Sequence, residues 1–486
     1  MPDERICRSK RFHKCQPAVQ TAPLSSHPGT THLESFLFSM PDNLATADVD
    51  GDALARLADK TDVDQLLGAL SDLDKEDLRR LADGARPRKP QRPSPAPPVN
   101  ADVYDVFEDL TDAQEATRET VRSFMQEEVE PVANEMWEDG TFPKDLIPKA
   151  GALFDEVVGR DAYTFPSDDP IRTNLISFEM SRVEPSFCTF WGVHTLLCMG
   201  SVALFGSEEQ KERFLEPLAA FDLIGSWALT EPDHGSDVSR GLETTARREG
   251  DTWVLDGAKK WAGNATFAGV TVVWARDEAD GRIKGFLVEQ ERPGYHVEQI
   301  GGKIAKRGVE NGLIELDGVA LPEANRLPGV SHFGDVSAQL ATCRASVAWE
   351  AAGLATGAYE KALAYCNERT QFGKPTSSFQ MVQDKLVTML GKVTALQTFV
   401  MQLGRLEAGA GAIGNERSSL AKVWACDTMR EVVSIARGIM GGNGILLDHD
   451  VARLFADAEG VYSYEGSREM NALIVGRAIT GQSAFV

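Results

Sequence analysis

Several short stretches carry residue types that could do chemistry together. Ser226-Trp-Ala-Leu-Thr-Glu-Pro-Asp-His-Gly-Ser-Asp237 runs an apolar strand into a Gly/Pro-broken turn. Backbone N–H groups and hydroxyls in such a turn can meet an anionic or polar ring. Lys260-Trp-Ala-Gly-Asn264 sets an indole at a β-turn, where it could cover a flat cofactor, although a Trp there is more often core. Asn367-Glu-Arg-Thr-Gln-Phe-Gly-Lys-Pro375 offers Arg369 to a phosphate and Phe372 to a purine. A cation also simply suits a helix C-terminus. Met440-Gly-Gly-Asn-Gly-Ile445 and Tyr462-Ser-Tyr-Glu-Gly-Ser467 are glycine turns. The second holds one carboxylate, Glu465, among aromatics, just where Ser467 can cap a helix.

Other chemistries are excluded. Gly409-Ala-Gly-Ala-Ile-Gly414 matches a dinucleotide fingerprint, but a helix rather than a strand precedes it, so it reads as a helix–helix turn. Walker A and G-x-S-x-G motifs are absent. The seven cysteines and eight histidines are scattered, without C-x-x-C or His-x-x-x-His, which excludes a disulfide framework and a structural metal. That cysteine usage predicts a reducing compartment, taken as the cytoplasm. A net charge of −23 disfavours nucleic acid and anionic lipid as partners. Apolar runs stay short of the ~20 residues of a membrane span.

These stretches need elements to hold them. The 486 residues suffice for two or three domains. Residues 1–50, with Arg5, Arg8, Lys10, Arg11 and Lys14, read as a disordered extension or as sequence upstream of a start at Met40. Residues 51–83 show leucines at helical spacing, and the Pro-rich stretch within 84–101 reads as an extended linker. From 102 to 222 the pattern is helical, with Thr111 and Ser207 as N-caps. From 223 to 335 short β-branched and aromatic segments alternate with Gly, Pro and Asp turns, the pattern of a compact β-domain. From 336 to 486 helix returns; Val382, Leu386, Met389, Val393, Leu396, Val400 and Leu403 mark one long bundle helix. The fold class is therefore mainly α with a central β-domain.

In this order the motifs resemble the acyl-CoA dehydrogenase superfamily. They correspond to its A-L-T-E-P…G-S-D (Ala228–Pro232, Gly235–Asp237), K-x-W-[IA]-x-N (Lys260–Asn264), E-R-x-x-F-G-[KV] (Glu368–Lys374), G-G-N-G (Gly441–Gly444) and Y-E-G (Tyr464–Gly466). The resemblance spans 103–486, is thin over 150–175, and its tail, Gly476 to Phe485, is similar to the branch of glutaryl-CoA dehydrogenases and plant peroxisomal short-chain acyl-CoA oxidases. It implies a helical N-terminal domain, a β-barrel-like middle domain and a C-terminal four-helix bundle. It also implies FAD-dependent α,β-dehydrogenation of an acyl-CoA, the chemistry of fatty-acid β-oxidation.

Within that resemblance Glu465 is the base that removes the α-proton, and its backbone N–H helps hold the thioester oxygen. The β-hydrogen leaves as hydride to flavin N5. Arg344 matches an arginine close to this glutamate. Leu229, Thr230, Trp261, Ala262 and Gly263 would face the isoalloxazine. Arg369, Phe372 and Gln380 would hold the pyrophosphate and adenine across a subunit boundary, with Gly438, Gly441, Gly442, Ser467 and Glu469 completing the site. Ser236 would meet the CoA arm and Gly466 the substrate. A shared site implies a homo-oligomer, in the family habit a dimer of dimers.

Two departures refine the expectation. Cys188 stands where glutaryl-CoA dehydrogenases place the arginine that binds the distal carboxylate, so a plain short- or medium-chain acyl group fits better. Gly263 stands where many dehydrogenases carry a threonine, and the plant oxidases share this glycine. Electrons would pass to electron-transfer flavoprotein; the alternatives are an oxidase using O2 and a non-catalytic CoA-binding protein on the same fold.

Overall fold

The computed structural model describes residues 99–410 and 413–484. The expected extension over 1–50, with Met40, the helical piece over 51–83 and nearly all of the 84–101 linker lie outside them.

Thr111 caps helix α1 (Asp112–Phe124) through a capping box: its Oγ1 accepts from Gln114 N at 3.3 Å while the Gln114 side chain accepts from Thr111 N at 3.0 Å. Helices α2 (Ala133–Asp139), α3 (Leu146–Val157) and α4 (Pro170–Val183) follow, then α5 (Pro185–Gly192), a π-helical segment (Val193–Met199) and α6 (Gly200–Phe205). Ser207 caps α7 (Glu208–Ala219) with a second capping box.

A seven-stranded sheet comes next, with a one-turn helix α8 (Val238–Gly241) between its first two strands: β1 (Gly225–Ala228), β2 (Thr245–Glu249), β3 (Thr252–Ala262), β4 (Val270–Asp277), β5 (Ile283–Glu289), β6 (Tyr295–Gln299) and β7 (Gly312–Pro322). Its order is β1-β4-β2-β3-β7-β6, with β5 also on β4; β1 and β2 run parallel to β4 and the other pairs are antiparallel. The apolar pattern misses β2, because Thr-Ala-Arg-Arg-Glu buries only Ala246; its register comes from pairing with β3. Strand β4 is buried on both faces. Val273 and Ala275 point into the sheet's own core, while Val272 and Trp274 pack toward the N-terminal helices.

The chain then enters α9 (Phe333–Glu368), a two-residue hairpin pair β8 (Thr370–Gln371) and β9 (Lys374–Pro375), and α10 (Gln380–Ala410). After them come α11 (Asn415–Ile439), α12 (Val451–Ser463) and α13 (Arg468–Thr480). Helix α11 packs on each of α9, α10, α12 and α13. Of the Gly409–Gly414 stretch, Gly409 and Ala410 end α10 and Gly414 precedes α11, so a helix rather than a strand leads into it; residues 411–412 lie outside the described ones. Helix α9 also packs on α4, and glycine permits the approach. A Cβ on Gly353 would lie 2.1 Å from Phe178 O, and one on Gly357 1.9 Å from Arg182 O.

Among the described residues, two helical stretches have the length and hydropathy of a membrane span, which counting uninterrupted apolar runs does not reveal: Pro185–Phe205 and Gln380–Gly409. Of the apolar window in Pro185–Phe205, 67% is buried inside the protein, so its hydropathy is that of a core helix.

Candidate active site

One cavity of about 740 Å³ lies between the sheet and helices α5, α9 and α12. The β-domain side presents Leu229, Thr230, Ser236, Trp261 and Gly263; the helical side presents Cys343, Ser346, Val347, Glu350 and the turn Tyr464–Ser467.

The sheet side is held from behind. Strand β1 continues into Leu229-Thr230, where Lys260 N donates to Thr230 O at 2.8 Å. Buried Lys259 donates to Leu229 O at 3.1 Å and to Glu231 Oε1 at 2.7 Å. Glu231 also accepts from Glu243 N at 2.6 Å and Thr244 N at 2.9 Å. A β-bulge falls between Lys260 and Ala262, and Trp261 takes φ +70° in it. The bulge turns the indole out of the pleat, leaving Trp261 49% exposed at the cavity while Ala262 is buried behind it. Ser226 Oγ donates to Gly263 O at 2.7 Å, and Asn264 Nδ2 donates to Phe190 O at 3.1 Å, tying this turn to the helices. A Cβ on Gly263 would lie 2.9 Å from Val193 Cγ2, so a larger residue at 263 would have to displace the Val193 side chain.

Glu465 sits at φ +53° and Gly466 at φ +85°, a backbone that a non-glycine residue adopts only under constraint. The constraint is visible. Lys422, fully buried on α11, donates to Tyr462 O at 2.6 Å and Gly466 O at 2.8 Å. Asn471 on α13 donates to Gly466 O at 2.9 Å and Ser467 O at 3.1 Å. Arg344 reaches the backbone carbonyl of Glu465 at 3.4 Å, not its carboxylate, and bonds Asn415 Oδ1 at 2.9 Å. It is therefore a positioning residue for the turn. Ser467 caps α13, its Oγ accepting from Met470 N at 3.3 Å.

The Glu465 carboxylate is left with Oε2 buried and unbonded. Burial pushes its pKa above the ordinary carboxyl value, Arg344 and Lys422 pull against that rise, and Glu350 adds to it. A poised, unpaired carboxylate facing a cavity is what a general base requires.

Of the expected residues the cavity thus gathers Leu229, Thr230, Ser236, Trp261, Gly263, Glu465, Gly466 and Ser467. Arg369, Phe372, Gln380, Gly438, Gly441, Gly442 and Glu469 do not line it and are exposed in the single chain, Phe372 to 94%. Asn443 Nδ2 bonds Tyr365 Oη at 3.0 Å, which sets the Gly441–Gly444 turn beside the end of α9 that leads into Arg369. Lys422, Asn471, Lys259 and Glu350 were not anticipated. A polar side chain inside a helix or strand pattern gives no local sign of which distant group it will meet.

Comparison with known proteins decides the family. Three family models match in order: "Acyl-CoA dehydrogenase, N-terminal domain" over 111–222, the middle domain over 226–319 and the C-terminal domain over 333–480. An acyl-CoA dehydrogenase of Bacillus subtilis (strain 168) is 32% identical over 378 residues, covering 76% of this chain and 99% of the relative. The chain belongs to the acyl-CoA dehydrogenase family. Among solved structures, a glutaryl-CoA dehydrogenase from Mycobacterium smegmatis in complex with FADH2 is 32% identical with a TM-score of 0.76, covering 80% of this chain and 100% of that chain. Butyryl-CoA dehydrogenase from Megasphaera elsdenii is 28% identical with a TM-score of 0.71, covering 76% and 99%. Membership makes this chain an oxidoreductase, and the family's cofactor is FAD. The cavity of this chain fits a flavin: the small Gly263, the out-turned indole and the unbonded carboxylate all meet there.

Proposed function

We propose that this protein dehydrogenates short- or medium-chain acyl-CoA thioesters across the α,β bond, with Glu465 taking the α-proton. The observation that carries the reading is the buried, unbonded Glu465 Oε2 in a cavity that also bears Leu229, Thr230, Trp261 and Gly263. FAD, when bound, supplies a two-electron acceptor. The residues of this chain do the rest. Leu229, Thr230 and Trp261–Gly263 would hold the ring, and Ser236 would meet the CoA arm. Burial makes the Glu465 carboxylate more basic than an ordinary one, and Arg344, Lys422 and Asn471 hold its turn in place. Cys188 brings no positive charge to the cavity wall, and Lys306 beside it is neutralised by Glu350 at 2.7 Å, which disfavours a dicarboxylyl substrate.

Arg369, Phe372, Gln380, Gly438, Gly441, Gly442 and Glu469 would contribute to a cofactor site shared with a second copy, in a dimer of dimers. Exposure of the apolar Phe372, Met381 and Ile445 supports this reading. Electrons would pass to electron-transfer flavoprotein in the cytoplasm. The small residue at 263 motivates the second reading, oxidation by O2. Stoichiometric hydrogen peroxide release in air would establish that reading and displace the first.

The test is Glu465→Gln. The variant should retain flavin and bind butyryl-CoA, yet leave flavin absorbance unchanged where the parent protein bleaches. Bleaching at the parent rate would remove Glu465 from the role.

A further inference from the structure

The helical side of the cavity also contains a buried ion pair, Lys306 with Glu350. Along α9, Cys343, Ser346, Val347 and Glu350 form one stripe facing the cavity. Arg344, beside Cys343, marks the Glu465 end. Glu350 lies about 10 Å further along the helix axis at ~1.5 Å per residue. It is 5% exposed and accepts from Lys306 Nζ at 2.7 Å. Lys306, also 5% exposed, takes φ +50°, and its N–H donates to Asp457 Oδ1 at 2.6 Å, which aims the side chain inward. Its ammonium also donates to Pro185 O at 2.6 Å and lies 5.6 Å from the Tyr464 ring centroid. Tyr464 Oη is buried beside Glu350 and Thr189 and makes no full hydrogen bond to any of the described residues.

An alkyl chain packed here would strip water from an ion pair and a phenol and return no hydrogen bond. The two charges cancel, so the wall has no net charge for a carboxylate or an ammonium. Hydrogen-bonding capacity remains: the Tyr464 hydroxyl and the third Lys306 proton.

We propose that Lys306, Glu350 and Tyr464 form a subsite for an uncharged hydroxyl carried on the acyl chain beyond the β-carbon. The preferred substrates are then hydroxylated short acyl-CoA thioesters rather than plain alkyl ones. The inference rests on the acyl-CoA reading of the Glu465 cavity.

The test uses the flavin-loaded protein with butyryl-, pentanoyl- and hexanoyl-CoA and their terminally hydroxylated counterparts. Dissociation constants are measured by calorimetry on the Glu465→Gln holoprotein, and kcat/KM on the parent. At one chain length or more, the hydroxylated thioester should bind and turn over at least ~10-fold better, about 1.4 kcal/mol. Lys306→Met with Glu350→Leu should abolish that preference. Glu350→Gln alone, which keeps the shape but frees the Lys306 charge, should tighten glutaryl-CoA at least ~10-fold. The proposal is overturned if plain chains bind as well at every length, if the paired variant keeps the preference, or if Glu350→Gln leaves glutaryl-CoA unchanged. Plain-chain turnover without a hydroxyl preference overturns the subsite alone. A parent flavin that no acyl-CoA bleaches overturns the dehydrogenase reading and the subsite together.

Discussion

Replacing Glu407 by Gln should stabilise the protein in a pH-dependent way. Glu407 lies near the end of α10, 7% exposed, on the wall of a second cavity of about 190 Å³ between α3, α4 and α9. Asn174 on α4 donates to its Oε2 at 3.1 Å. Burial raises its pKa to about 7 from an ordinary 4.5, and the Asn174 bond only partly opposes the rise. The folded state therefore keeps the proton up to about pH 7, whereas the unfolded chain releases it near 4.5. Between those values the unfolded state gains and the folded state does not, so stability falls as pH rises through the window. At ~1.36 kcal/mol per pH unit the full loss is about 3 kcal/mol, complete above pH 7. Gln is isosteric, its carbonyl can still accept from Asn174, and it has no proton to lose. Thermal melts of the flavin-loaded protein and the variant from pH 4.5 to 8 should show a difference in Tm that widens with pH. At ~2 °C per kcal/mol it should reach about 6 °C. A difference that stays flat with pH, or a variant less stable at pH 8, would refute the reasoning.

Because burial raises the pKa of Glu465, flavin reduction by acyl-CoA should fall on the acid side at a higher pH than an ordinary glutamate would give. Removing the Glu350 charge by Glu350→Gln should move that limb to lower pH, readable in stopped-flow pH profiles; an unmoved limb would contradict the coupling. Lys422→Met leaves the Tyr462 carbonyl without this donor, at about 1–3 kcal/mol, and the Gly466 carbonyl with the Asn471 bond alone. It should lower kcat at least tenfold while flavin content is retained, and unchanged turnover would show that the turn holds without it. Gly353→Ala places a Cβ 2.1 Å from Phe178 O and should cost about 3 kcal/mol or more as α4 and α9 are forced apart, measured by urea denaturation.

The element types, the caps at Thr111 and Ser207, the β-domain between two helical regions and the order of the flavin and CoA motifs were all legible in the sequence. Each is a local pattern: hydrophobic period, capping box, or glycine turn. The local pattern ended at β2, whose five residues offer one buried alanine, and at Trp261, where a bulge rather than composition turns the indole toward the cavity. Sequence also picked out Glu465, but as one carboxylate in a turn. Its burial, its unbonded oxygen and its strained φ come from Arg344, Lys422 and Asn471, which arrive from three other helices. Lys306, Glu350 and Tyr464 meet only because β-domain loop, α9 and α12 converge. Pairings across such separations have no period and no spacing along the chain. Only the packed fold decides which charge stands beside the acyl chain.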